Sequence, residues 1–264
     1  MNRSTDAPHD PALAPETAVA GVEPAPAPML RVAAMGDLHV GETHVAPYAE
    51  IFAEASAEAD VLVLCGDLTN YGKPVEAEIL ARDLEQATIP VVGVLGNHDY
   101  ECGHCDEVRA ILKGAGMSLL DGDAIEIGGV GFGGCKGAIG GFGRYMLSAF
   151  GEREIKDFVQ AAVDENLKLE QALRVLRTER TVAVLHYSPV PDTLEGEPPE
   201  IFAFLGSSRL AETIDRYDNV KLALHGHAHR GTFAGATPRG VPVRNVAQMI
   251  CRAETGKSYA VFEV

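Results

Sequence analysis

The sequence predicts an α/β fold with its chemistry gathered at one sheet edge, and three observations carry that reading. First, short apolar runs at 30–35, 61–65 and 89–95 alternate with stretches of helical periodicity. Parallel strands joined by right-handed helical crossovers are the expected product. Second, each run ends in glycine and polar residues: Gly36-Asp37-Leu38-His39, Gly66-Asp67 and Gly96-Asn97-His98-Asp99. Third, two later runs repeat the event. Run 181–185 ends in His186, and run 220–224 ends in His225-Gly226-His227-Ala228-His229. In open α/β sheets, ligands bind at the carboxyl ends of the strands. Five such ends deliver carboxylate, amide and imidazole groups, a donor set suited to metal ions.

The elements follow in order. Residues 1–28 are rich in Pro, Ala, Asp and Glu. Six prolines interrupt any helix there, so a disordered tail is expected, followed by one domain over 29–264. A strand at 30–35 precedes a helix over 47–59, where Tyr48, Ile51, Phe52 and Ala55 share a face and Pro47 suits the first turn. Strand 61–65, a helix over 73–86 and strand 91–95 complete two βαβ units. A helix near 105–113 leads to a short strand at 117–120. Residues 124–127 and 130–132 read as a hairpin turning through Gly128-Gly129. A glycine-rich loop over 133–143 is expected to wall the active site. Residues 152–178 carry a long helical pattern whose apolar phase slips near Asn166, which predicts a kink or two helices. This stretch reads as a helical cap or insertion at about 150–180, and a homodimer face is the sharper alternative. A Pro-rich loop at 188–200, a helix near 207–216 and strands at 241–246 and 258–264 close the chain.

Composition narrows the function classes. Hydrophobic content is 46%, enough for a full core, and the formal charge is −16. That charge argues against broad nucleic-acid binding by a basic surface. Bound divalent cations would reverse the local sign, so an anionic substrate is compatible with it. Five irregularly spaced cysteines make no disulfide framework. Residues 1–28 lack the apolar core of a secretory signal, and no stretch is apolar enough to span a membrane. A cytoplasmic protein with no membrane association is expected. A formal G-x-G-x-x-G at Gly129, Gly131 and Gly134 opens no helix and is set aside, and no Walker A motif occurs.

The ordered set Asp37-x-His39, Gly66-Asp67, Gly96-Asn97-His98-Asp99, His186 and Gly226-His227-x-His229 resembles the calcineurin-like metallophosphoesterase superfamily. Within it, the Gly-Asp-Leu-Thr-Asn-Tyr-Gly and Asn-His-Asp-Tyr segments look most like the bacterial branch that includes cyclic-nucleotide phosphodiesterases. The protein Ser/Thr phosphatases are a poorer match, because no Arg precedes Gly96. The resemblance implies a four-layer α-β-β-α sandwich with a dimetal site at the strand C-terminal ends. It implies that Asp37, His39 and His229 hold one metal, that Asn97, His186 and His227 hold a second, and that Asp67 bridges them. Neutral imidazole and carboxylate suit Mn, Fe or Zn. A hydroxide bridging the metals would attack the phosphorus of a small-molecule phosphoester. His98 would then assist the leaving group or stabilise the transition state.

Other residues carry weaker signals. Asp99 either orients a histidine or caps its loop. His225 is expected to pack beside the site. Asn70 and Tyr71 are candidate pocket residues, and Arg230 and Arg252 are candidate phosphate contacts. Cys102-Gly103-His104-Cys105 has C-x-x-C spacing, which suits a redox pair, a third metal site or a substrate contact from His104. Two functional alternatives share the fold: a non-catalytic scaffold, and a pyrophosphohydrolase of nucleotides or lipid precursors. Intact residues at all eight site positions speak against the scaffold.

Overall fold

The computed structural model describes residues 29–45 and 47–264, together with Met1. The tail expected over 1–28 lies, apart from Met1, outside the described residues. In the first half, β1 (Arg31–Met35), α1 (Ala49–Glu58), β2 (Val61–Cys65), α2 (Pro74–Leu84), β3 (Val91–Val94), α3 (Cys105–Gly114) and β4 (Ser118–Leu119) alternate as expected. The hairpin forms from β5 (Asp123–Ile127) and β6 (Val130–Gly134). Gly128 and Gly129 turn it with φ values of 58° and 79°, the left-handed conformation that a tight two-residue hairpin requires. There follow α4 (Arg153–Val175), β7 (Arg180–Val184), α5 (Phe202–Leu205), α6 (Ser208–Ile214) and β8 (Val220–His225). The chain closes with β9 (Ala234–Ala236), β10 (Pro242–Asn245), α7 (Gln248–Thr255) and β11 (Ala260–Glu263).

The strands divide into two sheets, ordered β11-β1-β2-β3-β4 and β5-β6-β7-β8-β10-β9. Neighbouring strands from β1 to β4 pair in parallel, as do β6, β7, β8 and β10. The antiparallel strands β11, β5 and β9 lie at sheet edges. Side chains alternate across a strand, so each strand faces two cores. Val32, Ala34, Val61, Val63, Val92 and Val94 meet Phe132, Val182, Val184, Leu222 and Leu224 between the sheets. The opposite face of the first sheet, with Met35, Leu62 and Leu64, packs on Phe52, Leu80 and Leu112 of α1, α2 and α3. The opposite face of the second sheet, with Ala183 and Ala223, packs on Leu169 and Leu173 of α4 and Leu210 and Ile214 of α6. This is the four-layer α-β-β-α sandwich.

One expectation is corrected. The stretch 152–178 does not divide into two helices; α4 is continuous from Arg153 to Val175. Ile155, Val159, Ala162, Asn166, Leu169 and Leu173 advance in alternating steps of four and three, so Asn166 lies in phase on the stripe. Its polarity is absorbed where it sits, because the Thr213 hydroxyl of α6 donates to Asn166 Oδ1 at 3.1 Å. α4 contacts β5, β6 and α6 and forms the outer layer of the second sheet. The sequence reading also passes over α7. Only Cys251 is buried within it, so it has no apolar stripe to find. Among the described residues, no helix is long and apolar enough to cross a membrane.

Leu173 is 1% exposed in the α4–sheet core. Leu173→Ala is expected to lower unfolding stability by about 2–5 kcal/mol through lost transfer energy and a residual cavity. Urea denaturation with an unchanged m-value is the check, and an unshifted midpoint would show that α4 is not part of the core.

Candidate metal centre

β1, β2, β3, β7 and β8 end at the same edge, and each hands its next residues to one cluster. The backbone there is held in an unusual shape. Among the described residues, Asp37, His39, Asp67 and His227 alone of the non-glycine residues have positive φ, at 60°, 48°, 49° and 71°. All four belong to the set singled out from sequence. Such conformations cost on the order of 1–3 kcal/mol each and persist where the surroundings over-determine them. Gly96 shows how tight the site is, because a Cβ there would overlap the carboxylate and backbone N of Asp67.

Three groups of ligand-capable atoms lie within 4.8 Å of one another: Asp37, His39 and His229; His39, Asp67 and His98; and Asp67, His186 and His227. The first matches one expected metal set, the third shares Asp67 and two histidines with the other, and the second links them. Asn97 completes the cluster, with Oδ1 3.0 Å from His186 Nε2. His229 Nε2 is 2.8 Å from Asp37 Oδ1, and both Asp37 oxygens accept from the His227 backbone N–H at 3.0 Å. Asp67 Oδ1 accepts the His98 backbone N–H at 2.9 Å and lies 3.3 Å from His186 Nε2. Its Oδ2 is 3.8 Å from His39 Nε2 and 4.0 Å from His98 Nε2.

Supporting contacts fix which nitrogen faces inward. His186 Nδ1 donates to Cys65 O at 2.9 Å, and His98 Nδ1 donates to Asn70 O at 2.7 Å. The Nε2 atoms are thereby turned to the cluster, as in metal-ligating histidines oriented by a backbone carbonyl. Burial, the largest influence on His186, opposes its charge, yet the nearby Asp67 carboxylate raises its pKa to about 9. Burial likewise opposes the Asp67 charge, but His186 and the hydrogen bonds around it hold the carboxyl below its usual range. Burial, helped by the charge of His186, pushes His227 down to about 3.

These features test whether a cation fits. With Nδ1 committed to Cys65 O, a neutral His186 turns its Nε2 lone pair toward two oxygens, those of Asn97 and Asp67. Only a proton or a cation relieves that arrangement. His39 Nε2 is buried with no hydrogen-bond partner. A buried orphan nitrogen beside two buried carboxylates fits a metal ligand.

The remaining candidates separate clearly. Asp99 does not orient a histidine. Its carboxylate accepts from Gly96 N, Leu68 N, Thr69 N and Thr69 Oγ1, stapling the loop after β2 to the loop after β3. Burial raises its pKa to about 6 against the pull of these bonds. His225 is fully buried beside the site, with Nδ1 donating to Gly226 O and Nε2 accepting from the Thr193 hydroxyl. Asn70 and Tyr71 line a cleft of about 460 Å³ with His39, Glu42 and His44. A larger cleft of about 570 Å³, between Phe142, Pro191 and Glu212, includes no cluster residue. His104 pairs with Glu107, and Arg252 bonds Ser258. Cys102 donates to Gly72 O, and its C-x-x-C partner Cys105 leans on Asp106.

Several supporting residues escaped the sequence reading. Gln248 Nε2 donates to the backbone O of strained Asp37 at 2.7 Å and to Tyr48 Oη at 2.9 Å. Tyr187 packs its ring on His227, with centroids 4.5 Å apart. No motif marks either residue.

Known proteins share this architecture. Over 176 residues the chain is 24% identical to a probable cyclic nucleotide phosphodiesterase from Synechococcus sp.. The match covers 67% of this chain and 60% of that relative's length. The solved phosphopantetheinyl hydrolase of Mycobacterium tuberculosis superposes with a TM-score of 0.60 at 15% identity, over 90% of this chain and 96% of its own. A purple acid phosphatase from yellow lupin seeds gives 0.55 at 13% identity, over 85% of this chain and 45% of its own. At such identities the structural likeness is one of fold alone. The sequence pattern of calcineurin-like phosphoesterases matches residues 30–231, most of the chain and every strand end of the cluster, so the chain belongs to the calcineurin-like phosphoesterase family.

Proposed function

We propose that this protein is a metal-dependent phosphoester hydrolase with a two-cation site. The observation that carries the reading is the place of Asp67, whose carboxylate is shared between the group containing His39 and the group containing His186 and His227. Asp37, His39 and His229 would hold one cation, and Asn97, His186 and His227 the other. A carboxylate with two oxygens can serve both. The oxygen-and-imidazole donors suit Mn, Fe or Zn. When bound, the cations would neutralise phosphoryl oxygens and lower the pKa of a water from 15.7 towards about 7.

The chain's own groups do the rest. His98 Nε2 faces the cluster with its ring held by Asn70 O, and as an imidazolium it would have an Nε2 proton to give a leaving oxygen. The cleft bounded by His39, Asn70 and Tyr71 opens at one of the cluster histidines. The name of the Synechococcus relative makes phosphodiesters the first substrates to try.

Metal-depleted protein reconstituted with Mn²⁺ should hydrolyse an aryl phosphodiester or phosphomonoester. His98→Ala should lower kcat by roughly 10²–10⁴-fold while keeping two metals per chain. Asn97→Ala should lose one of the two, read by elemental analysis beside the assay. Full activity in His98→Ala would remove its assigned role. An absence of metal binding with Mn, Fe, Co and Zn alike would end the hydrolase reading and favour the scaffold.

Gly96→Ala tests the crowding directly. The new Cβ must displace Asp67, so this variant should retain a cooperative thermal transition yet bind fewer than two cations. Wild-type stoichiometry in that variant would contradict a shared Asp67.

A further inference from the structure

One charged feature beside the cluster is unused by the proposed mechanism. Lys136 follows β6, and its backbone O accepts from both His186 N at 3.0 Å and Tyr187 N at 3.1 Å. The residue is therefore locked to the strand end that carries a metal-site histidine. Its ammonium lies 5.3 Å from the centre of the Tyr187 ring and 5.7 Å from that of Tyr100. The Tyr187 ring belongs to the wall of the cluster, and Tyr100 is tied to it through the backbone. Tyr187 packs on His227 and His186, and Tyr100 ends the turn that begins at His98.

This ammonium is held but not saturated. Among the described residues its one hydrogen bond is to Gly137 O at 2.9 Å. Glu165 Oε2 stands 3.8 Å away and has no hydrogen-bond partner of its own. The remaining contacts run round a circuit: Lys168 bridges Glu165 and Asp121, Arg109 pairs with Asp121, and Arg109 donates to the Tyr100 hydroxyl. Three cations face two carboxylates, leaving an excess positive charge. That excess sits in a protein of net charge −16. A cleft of about 270 Å³ lined by Lys136, Glu165, Ile139, Phe158 and Tyr187 opens beside the ammonium. An ammonium with unused donors, fixed over two rings and facing a cleft, is a ready partner for an anion.

We propose that Lys136 is a specificity residue that binds a second anionic group, a phosphate or a carboxylate, on the alcohol side of the substrate. The preferred substrates are then phosphoesters of anionic alcohols rather than of neutral ones. The proposal rests on the hydrolase reading for the position of the first phosphate. It adds the charge of the group that leaves.

Binding of non-hydrolysable ligands tests it apart from turnover. Metal-loaded protein is titrated calorimetrically with propane-1,3-bisphosphonate, 2-carboxyethylphosphonate and methylphosphonate. Wild type should bind at least one of the first two about tenfold more tightly than methylphosphonate, the scale of one charge-assisted hydrogen bond. Whichever binds tightly identifies the second anion. Lys136→Met keeps the stem packed on the rings and should close the gap, with methylphosphonate affinity unchanged. Lys136→Arg should restore it. No gap in wild type, or a gap that survives in Lys136→Met, overturns the proposal. If the gap appears but no phosphoester is hydrolysed, the hydrolase reading fails and Lys136 stands as an anion-binding residue alone. If esters are hydrolysed and no gap appears, only this one fails.

Discussion

A buried carboxylate that must stay ionised governs this structure. Asp67 is 1% exposed, and removing a charge from water costs several kcal/mol unless neighbours compensate. Three neighbours do so. The His98 backbone N–H donates to it, and the rings of His186, His39 and His98 converge on it. Gly96 lies against it because no other residue leaves room. With Asp67 itself, these groups come from the loops after β1, β2, β3 and β7, so compensating one charge fixes where four chain segments meet.

The backbone distortion around that charge has its own support. Asp37 and His227 share the two hydrogen bonds to the Asp37 carboxylate, and Gln248 of α7 satisfies the Asp37 carbonyl. Asp99 takes four hydrogen bonds from the loops after β2 and β3 and holds them as a unit. The acid of the Asn-His-Asp triplet therefore serves shape, while its neighbours Asn97 and His98 face the cluster. Strain of this kind survives because the sandwich beneath it is rigid.

Much of this was legible in the sequence because strands buried on both faces read as unbroken apolar runs, and their ends are marked by abrupt polarity. The runs before Asp37, Asp67, Asn97, His186 and His225 show it, as does the hairpin at Gly128-Gly129. What failed was wherever a polar residue sits in an apolar place or a helix lacks a stripe. Asn166 read as a break in α4 because its partner, Thr213, is 47 residues away. The helix holding Gln248 buries a single side chain and left no pattern. Lys136, Tyr100 and Tyr187 come from three separate loops, and only the folded chain brings the ammonium between two rings. Asp99 was ambiguous for the same reason, since its acceptors' partners lie on another strand end.

The division of strands into two sheets gives the cluster a mechanical character. Asp37, His39, Asp67 and Asn97 follow strands of the first sheet, whereas His186, His227 and His229 follow strands of the second. Side-chain packing joins those sheets across the core, and at the cluster end hydrogen bonds cross between them, from Gly36 N to Val246 O, from His186 Nδ1 to Cys65 O and from His227 N to the Asp37 carboxylate. A cation gripped from both sides would act as a rivet through the top of the sandwich. Slippage of one sheet past the other would pull both sets of donors out of register together. The register of the two sheets and the spacing of the donors are thus one degree of freedom.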